Sequence, residues 1–186
     1  MDIRPTTPAD LDAVADIDGT IEATQYLHVD LSGEGTAMTW KIEERPLREK
    51  MIGANRLADD DLFTLEQIVA GADEGLALAA EHDGVIVAHL FARVDHGNKT
   101  LRIVDVRVDY DYRRQGVGLA MLFQAVQHAR EQQLRAVMAT TQTSNLPAAR
   151  FLSKAGFDIT GLDTRRITNH DLVKERVTLF WYSAFD

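Results

Sequence analysis

Cysteine is absent from this chain, so disulfide bonds, zinc–thiolate sites and cysteine nucleophiles are excluded. No apolar stretch approaches the ~20 residues that a membrane span needs, so no membrane partner is expected. Residues 1–5 (MDIRP) lack the apolar core of a signal peptide. Together these absences favour a reducing compartment, and the expectation is a cytoplasmic protein.

A basic excess is also missing, because the 186 residues carry a net charge of −9. Binding to nucleic acid needs basic surface, so nucleic acid is not expected as a partner. The charge is uneven: residues 1–80 hold 17 acidic and 6 basic side chains, whereas residues 81–186 hold 12 and 14. The first part would attract a cation and the second would tolerate an anion. Acidic surface that only aids solubility is the alternative.

Hydrophobic periodicity predicts one mixed α/β domain, and the chain is long enough for a single core. The first half predicts strands at residues 3–5 and 36–43, and helices at 8–18, 45–57 and 62–71. An antiparallel meander of three strands follows at 75–81, 85–94 and 100–109, with a hairpin signal at His82-Asp83-Gly84. Beyond it the pattern predicts helices at 119–132 and 145–155, and strands at 135–140, 157–159 and 177–182.

The most informative stretch is RRQGVG at residues 113–118, between the last meander strand and a helix. Glycine lets the backbone approach an anion, and the first N–H groups of a helix have no intrahelical partner. The helix dipole adds positive potential, and Arg113 and Arg114 can add charge-assisted hydrogen bonds. The stretch predicts an anion site; a basic turn with glycines for steric reasons is the alternative. Met121 replaces the third glycine of a dinucleotide fingerprint, which disfavours that fold.

Two further motifs follow this turn in order, NLPA at residues 145–148 and KAGF at 154–157. The chain therefore resembles the GNAT acetyltransferases, which carry Arg/Gln-x-x-Gly-x-Gly/Ala before a helix, then Asn-x-x-Ala and a terminal Gly-Phe. The resemblance covers residues 75–160 best. GLDT at 161–164 and VTLFWY at 177–182 look like the streptothricin (nourseothricin) acetyltransferase branch.

The resemblance implies a single GNAT-like domain over residues 1–186, with an acetyl-CoA-binding core at about 75–160. Its fold would be a mixed, mostly antiparallel central sheet with splayed fourth and fifth strands and helices on both faces. Acetyl-CoA would be the co-substrate, with its pantetheine arm paired along one strand as if it were another strand. The cofactor-binding residues implied in this way are Val106, Arg107, Val108, Arg113, Arg114, Gln115, Gly116, Val117, Gly118 and Asn145.

Amine acetylation needs a neutral amine, a polarised thioester carbonyl and a proton for the leaving thiolate. The resemblance implies that Asp105 is a catalytic residue, as a ligand of the acceptor amine or as a base acting through water. A strand carboxylate paired with Arg107 or Arg102 is the alternative. His89, in an apolar strand, is expected to be a packed core histidine. Residues 59–61 (DDD) are expected to form a solvated turn, and no metal site is expected.

The proton donor has three interpretations, because Leu152 stands where the family usually has a tyrosine. Proximity and backbone polarisation could suffice, with water protonating the thiolate. Another hydroxyl could serve instead, and the candidate is Tyr110, with Tyr112, Ser144 and Tyr182 as alternatives. The third interpretation is a protein that binds acetyl-CoA without efficient turnover.

These features predict an acetyl-CoA-dependent N-acetyltransferase that acts on a primary amine of a cationic small molecule. A streptothricin-type antibiotic is the candidate acceptor, which would make the protein an antibiotic-resistance enzyme. A protein or peptide amine as acceptor, and a non-catalytic acyl-CoA-binding module, are the alternatives. The sequence leaves a homodimer open.

Overall fold

The computed structural model describes residues 1–53 and 56–185. This part of the chain contains nine strands and four α-helices, with short 3-10 helices at Pro8–Asp10 and Tyr110–Tyr112. The strands are β1 (Asp2–Pro5), β2 (Ile21–Glu34), β3 (Ala37–Gly53), β4 (Gly75–His82), β5 (Val85–Asp95), β6 (Thr100–Val108), β7 (Ala136–Gln142), β8 (Asp158–Asp163) and β9 (Thr178–Ala184). The helices are α1 (Leu11–Asp16), α2 (Asp59–Val69), α3 (Val117–Glu131) and α4 (Leu146–Lys154). Among these helices, none is both long enough and apolar enough to cross a membrane.

Seven of the strands form one sheet in the order β1-β4-β5-β6-β7-β9-β8, and β2 pairs with β3 in a separate two-stranded sheet. The predicted meander is confirmed, since β4, β5 and β6 pair antiparallel. Its first turn has positive φ at Asp83 (51°) and Gly84 (82°), as a two-residue type I′ hairpin requires. The chain divides into two compact units, one of residues 1–20, 56–139 and 182–185, the other of residues 21–53 and 140–181.

The strands β6 and β7 diverge, which confirms the predicted splay. They pair in parallel at Thr100–Ala136, Leu101–Val137 and Arg102–Met138, and no further pair follows along the described part of these strands. On its other side, β6 pairs with β5 through a bulge, because Phe91 faces Asp105 whereas Ala92 faces Ile103. The extra residue, Val104, bends β6 at the point where its pairing with β7 ends. The second half of β6 therefore has an open edge.

Helices cover both faces of the sheet in the first unit. Six successive residues of β5, 87–92, are buried, and successive strand side chains point to opposite faces. On one face, Phe91 packs in a cluster with Val14 of α1 and with Leu65 and Ile68 of α2. The helix α3 lies against β4, β5 and β6 and covers the other face. A mixed, mostly antiparallel sheet with helices on both faces is thus confirmed.

The predicted helix at residues 45–57 is wrong. Residues 45–53 continue β3, whose register with β2 includes the pairs Tyr26–Arg45 and Gln25–Pro46, and residues 54–55 lie outside the described part of the chain. This stretch is rich in helix formers, but the long partner strand β2 supplies cross-strand pairs that override a weak local preference. The predicted strand at 36–43 is confirmed as the beginning of β3.

Thr143 is a buried link in the second unit. It is 0% exposed, and its Oγ1 donates a hydrogen bond to the carbonyl of Glu175 (2.9 Å) and accepts one from the amide of Val177 (3.0 Å). Thr143→Val would leave both backbone groups unpaired, so we expect the free energy of unfolding to fall by about 1–3 kcal/mol. Denaturant unfolding measures this loss, and Thr143→Ser, which keeps the hydroxyl, is the control. Equal unfolding midpoints for the valine variant and the wild type would contradict the role.

Candidate active site

The turn before α3 contains two residues with a left-handed backbone conformation. Arg114 and Gly116 have positive φ (61° and 89°), while Gln115 between them does not. Alternation of left- and right-handed residues turns successive N–H groups towards one side, which is a known anion-binding geometry. Gly116 is also the N-cap of α3, whose first turn carries no acidic side chain. The helix dipole therefore adds to the attraction for an anion, and binding of an anion at this turn stays a prediction.

The side chain of Arg113 stabilises this turn through hydrogen bonds. Its guanidinium donates hydrogen bonds to three carbonyl oxygens, from Nε to Val108 (2.8 Å), from Nη1 to Thr20 (2.7 Å) and from Nη2 to Asp18 (2.8 Å). It also lies 5.3 Å from the ring centroid of Tyr110. The side chain thus ties the turn to the end of β6 and to the segment after α1. The neighbouring Arg114 is exposed and extends from the turn itself.

The second half of β6 presents backbone to a potential ligand. Val106 and Val108 face Leu90 and Ala88 of β5, while the pairing with β7 has already ended. The open edge can hydrogen-bond an extended ligand as a further strand would. The carbonyl of Val108 is already occupied by Arg113, so the available groups lie earlier on the strand.

A buried cluster of charged residues lies on one face of β5 and β6. Asp105 accepts hydrogen bonds from Arg107, from Nε to Oδ2 and from Nη2 to Oδ1, both at 3.2 Å. His89 Nε2 lies 2.7 Å from Asp105 Oδ2. The side chains are 1% (His89), 16% (Asp105) and 3% (Arg107) exposed. The cross-strand pairs His89–Arg107 and Phe91–Asp105 place the four residues together on this face.

This environment decides the charge of Asp105. Burial raises its pKa, but the close approach of His89 and the positive charge and hydrogen bonds of Arg107 outweigh burial and hold the pKa below its usual value. Asp105 is therefore a carboxylate in a fixed orientation. The pairing with Arg107, one of the two sequence interpretations, is confirmed, as is the burial of His89. Neither ring nitrogen of His89 makes a hydrogen bond of standard geometry in the described structure, so the short approach to Asp105 is an electrostatic contact.

Asp61 is a member of this region that sequence reasoning missed. The expected solvated turn at 59–61 is wrong, because Asp59 begins α2. Asp61 is half-buried, while Asp59 and Asp60 are exposed. Asp61 precedes the buried Leu65 by one helical turn, so the two side chains lie on the same face of α2. The i, i+4 spacing of Asp61 and Leu65 could have indicated from sequence that Asp61 is partly buried, but only if the beginning of α2 had been predicted correctly.

The environment of Asp61 is opposite to that of Asp105. Burial raises its pKa, and the negative charge of Asp105 raises it further; Arg102, Asp60 and Arg107 have smaller effects of mixed sign. The two carboxyl groups are thus close enough to interact, yet one is held as a strong anion and the other is shifted towards a more basic group.

The chain is similar in sequence to one known protein family. The acetyltransferase (GNAT) family matches residues 37–157, which is more than half of the chain. The chain belongs to the GNAT acetyltransferases. It is therefore an N-acetyltransferase that uses acetyl-CoA as its co-substrate.

Relatives of this acetyltransferase point to one branch. Streptothricin acetyltransferase A of Bacillus subtilis (strain 168) is 37% identical over 83 residues, which are 45% of this chain and 47% of that relative, so the match spans about half its length. Streptothricin acetyltransferase of Streptomyces lavendulae is 26% identical over 165 residues, 88% of this chain and 84% of the relative. A Bacillus anthracis str. Ames structure in complex with acetyl coenzyme A has a TM-score of 0.77 and 25% identity, over 99% of this chain and 97% of that one.

Leu152, where the family resemblance implies a tyrosine, is a buried residue. Leu152 lies on α4 and is 5% exposed, so a packed apolar side chain occupies this position. Among the alternative hydroxyls, Tyr110 follows β6 directly and is 53% exposed. The ring of Tyr112 contacts His82 at 5.5 Å, and that of Tyr182 lies 5.7 Å from the guanidinium of Arg135. The ring of Tyr110 likewise lies 5.3 Å from the guanidinium of Arg113, so what distinguishes Tyr110 from the other two is its greater exposure.

Asn145 lies at the beginning of α4. Its Oδ1 accepts a hydrogen bond from the amide of Ala148 (3.2 Å), so the side chain is the N-cap of the helix. The proline that follows in the first turn of α4 is also typical of a helix start. The contact of Asn145 with acetyl-CoA that the family resemblance implies stays a prediction.

Proposed function

We propose that this acetyltransferase moves the acetyl group of acetyl-CoA to a primary amine of a cationic small molecule, a streptothricin-type antibiotic, with residues 1–186 acting as one catalytic domain. The observation that carries the proposal is Asp105, a buried carboxylate whose charge and orientation are held by Arg107 and His89. Such an anion suits an acceptor that arrives as an ammonium ion. The names of the two curated relatives support the choice of antibiotic.

The cofactor would bind along the open edge of β6 and the turn that follows it. In this proposal the N–H groups of residues 114–118 hold the pyrophosphate, and the backbone of residues 106–108, apart from the carbonyl of Val108 that Arg113 occupies, pairs with the pantetheine arm. Arg113 has a structural role, because its hydrogen bonds to the carbonyls of Asp18 and Thr20 fix the conformation of the turn. Asn145 would contact the cofactor in addition to capping α4.

Three tasks of the reaction are assigned to groups of this chain: binding of the acceptor, donation of a proton to the sulfur, and polarisation of the thioester carbonyl. Asp105 binds the ammonium group of the acceptor and orients the nitrogen, because its low pKa makes it a firm anion but a weak base. Tyr110 is the proposed donor of a proton to the leaving sulfur, since it is exposed and adjoins the end of β6. The backbone near the bulge would polarise the thioester carbonyl.

A thiol-release assay with acetyl-CoA and a panel of amines tests this proposal. Streptothricin, a polyamine, an aminoglycoside and a lysine-containing peptide would be compared by kcat/KM. We expect streptothricin to exceed the others by at least about 100-fold, which is ~2.7 kcal/mol of transition-state discrimination. A peptide as the preferred acceptor would overturn the choice of a small cation.

A non-catalytic acyl-CoA-binding module is the second candidate, and Leu152 is the observation that favours it. An apolar side chain at this position cannot protonate the thiolate. Calorimetric titration with acetyl-CoA separates the two, because tight binding without thiol release from any amine would establish the binding module. Release at a rate well above the amine-free background would exclude it.

A further inference from the structure

The two carboxyl groups of α2 and β6 share one face of the sheet. Leu65 of α2 packs in the same cluster as Phe91 of β5, and Phe91 is the cross-strand partner of Asp105. Asp61 lies one turn before Leu65 on the packed side of α2. The described structure shows no hydrogen bond or ion pair formed by the Asp61 carboxylate, whereas that of Asp105 is held from two sides. One carboxylate is thus fixed and the other is available.

A second observation marks this region as a functional one. His89 is 1% exposed, and its Nε2 approaches Asp105 Oδ2 at 2.7 Å while its Nδ1 has no partner among the described residues. An unsatisfied buried polar atom costs free energy, so it is uncommon where packing alone is at stake. Titratable side chains that packing does not require are enriched at functional sites, and the buried imidazole of His89 is such a side chain.

We propose that Asp61 is the general base that takes the proton from the acceptor ammonium, while Asp105 holds that ammonium as a fixed negative charge. The proposal rests on the amine acetylation proposed above and assigns a separate task to each carboxylate. Two titratable groups in neighbouring but opposite environments commonly divide acid–base work in this way.

The reaction balances with these groups and acetyl-CoA alone. The Asp61 carboxylate accepts one proton as an N–H bond of the ammonium breaks, which frees the nitrogen lone pair. The neutral nitrogen attacks the thioester carbonyl carbon, a C–N bond forms, and the C–S bond breaks. The nitrogen loses its second proton to the sulfur, directly or through Tyr110, and Asp61 releases its proton to water. The products are the amide and free CoA thiol.

The pH dependence follows from the groups that face Asp61. These are Asp105, Arg102 and Arg107 from β6 and Asp60 from its own helix, with His89 of β5 behind Asp105. Asp61 works as a base only when ionised, so kcat/KM should fall as the pH drops through its pKa. Because burial and Asp105 raise that pKa, the acid limb should lie above the usual range for an aspartate.

The test compares Asp61→Asn with Asp60→Asn in the full chain, with streptothricin as acceptor. Asp60 is exposed and adjacent on α2, so its variant removes the same charge as a matched control. We expect Asp61→Asn to lower kcat/KM about 100-fold, mainly through kcat, and to lose the acid limb. The remaining activity of Asp61→Asn should depend on deprotonation of the acceptor amine itself, and it should rise only at the higher pH where free amine forms. Asp60→Asn should stay within about 2-fold, and calorimetry should give all three proteins the same affinity for acetyl-CoA.

Three outcomes overturn the proposal, and they do so at different levels. If the wild type acetylates the amine and Asp61→Asn keeps both its rate and its acid limb, Asp61 is not the base while the proposed function stands. If the wild type shows no amine-dependent thiol release, the proposed function fails and the role of Asp61 fails with it. A lower affinity for acetyl-CoA in Asp61→Asn would indicate a merely structural role.

Discussion

Replacing Gly116 with aspartate is expected to weaken acetyl-CoA binding by at least about 100-fold without unfolding the protein. Gly116 caps α3 with a φ of 89°, and a Cβ built there meets nothing within 4 Å. A carboxylate at this position would face the pyrophosphate if acetyl-CoA binds as proposed. Two unit charges about 4 Å apart repel by ~4 kcal/mol at an effective dielectric constant of 20, which exceeds two powers of ten in affinity.

The matched control is Gly116→Asn, which has nearly the same shape without the charge. Asparagine and aspartate both tolerate positive φ better than other residues, so both variants bear a similar backbone strain. We expect the asparagine variant to lose no more than about 10-fold in affinity by calorimetric titration. Equal losses in the two variants would mean that strain, and not repulsion of phosphate, governs the turn.

Asp105→Asn is expected to lower kcat/KM about 10³-fold, chiefly as a higher KM for the amine. The loss corresponds to ~4 kcal/mol for removing a unit charge near the ammonium. Asparagine is preferred to alanine, because its Oδ1 can still accept a hydrogen bond from Arg107, which is only 3% exposed. Alanine would leave that guanidinium buried without its carboxylate partner, a change that destabilises proteins strongly.

The same variant carries a second, independent readout. Removing the negative charge of Asp105 removes one of the influences that raise the pKa of Asp61. The acid limb of kcat/KM should therefore move to lower pH, while the affinity for acetyl-CoA stays unchanged. An unchanged KM for the amine would show that Asp105 does not hold the acceptor, and an unmoved acid limb would show that the two carboxylates are not coupled in catalysis.

Local features of the chain could be predicted well from sequence. The meander, its turn at Asp83-Gly84 and the helix after RRQGVG all depend on residues close together along the chain. The helix expected at residues 145–155 is confirmed as α4 for the same reason. Glycine, proline and hydrophobic periodicity act over a few residues, so their consequences can be recognised without a structure.

Features that depend on distant partners could not be predicted. Residues 45–53 of the expected helix are strand because β2 pairs with them, and local propensity could not indicate that distant partner. The three carbonyls that occupy Arg113 come from two other segments, so its role as a brace was not foreseeable. In each case a contact across the sequence outweighed a preference within it.

The sequence by itself determined the family, the co-substrate and the turn that is proposed to bind it, because short ordered motifs encode backbone geometry. Only the tertiary structure decided which charges matter near the reaction. Asp105 was visible as a candidate, but its state depends on Arg107 and on His89 across the sheet. Asp61 looked like part of a solvated turn, and only the packing of α2 against β5 and β6 brings it under the influence of Asp105. Electrostatic environments are set by distances in space, and those exist only once the chain has folded.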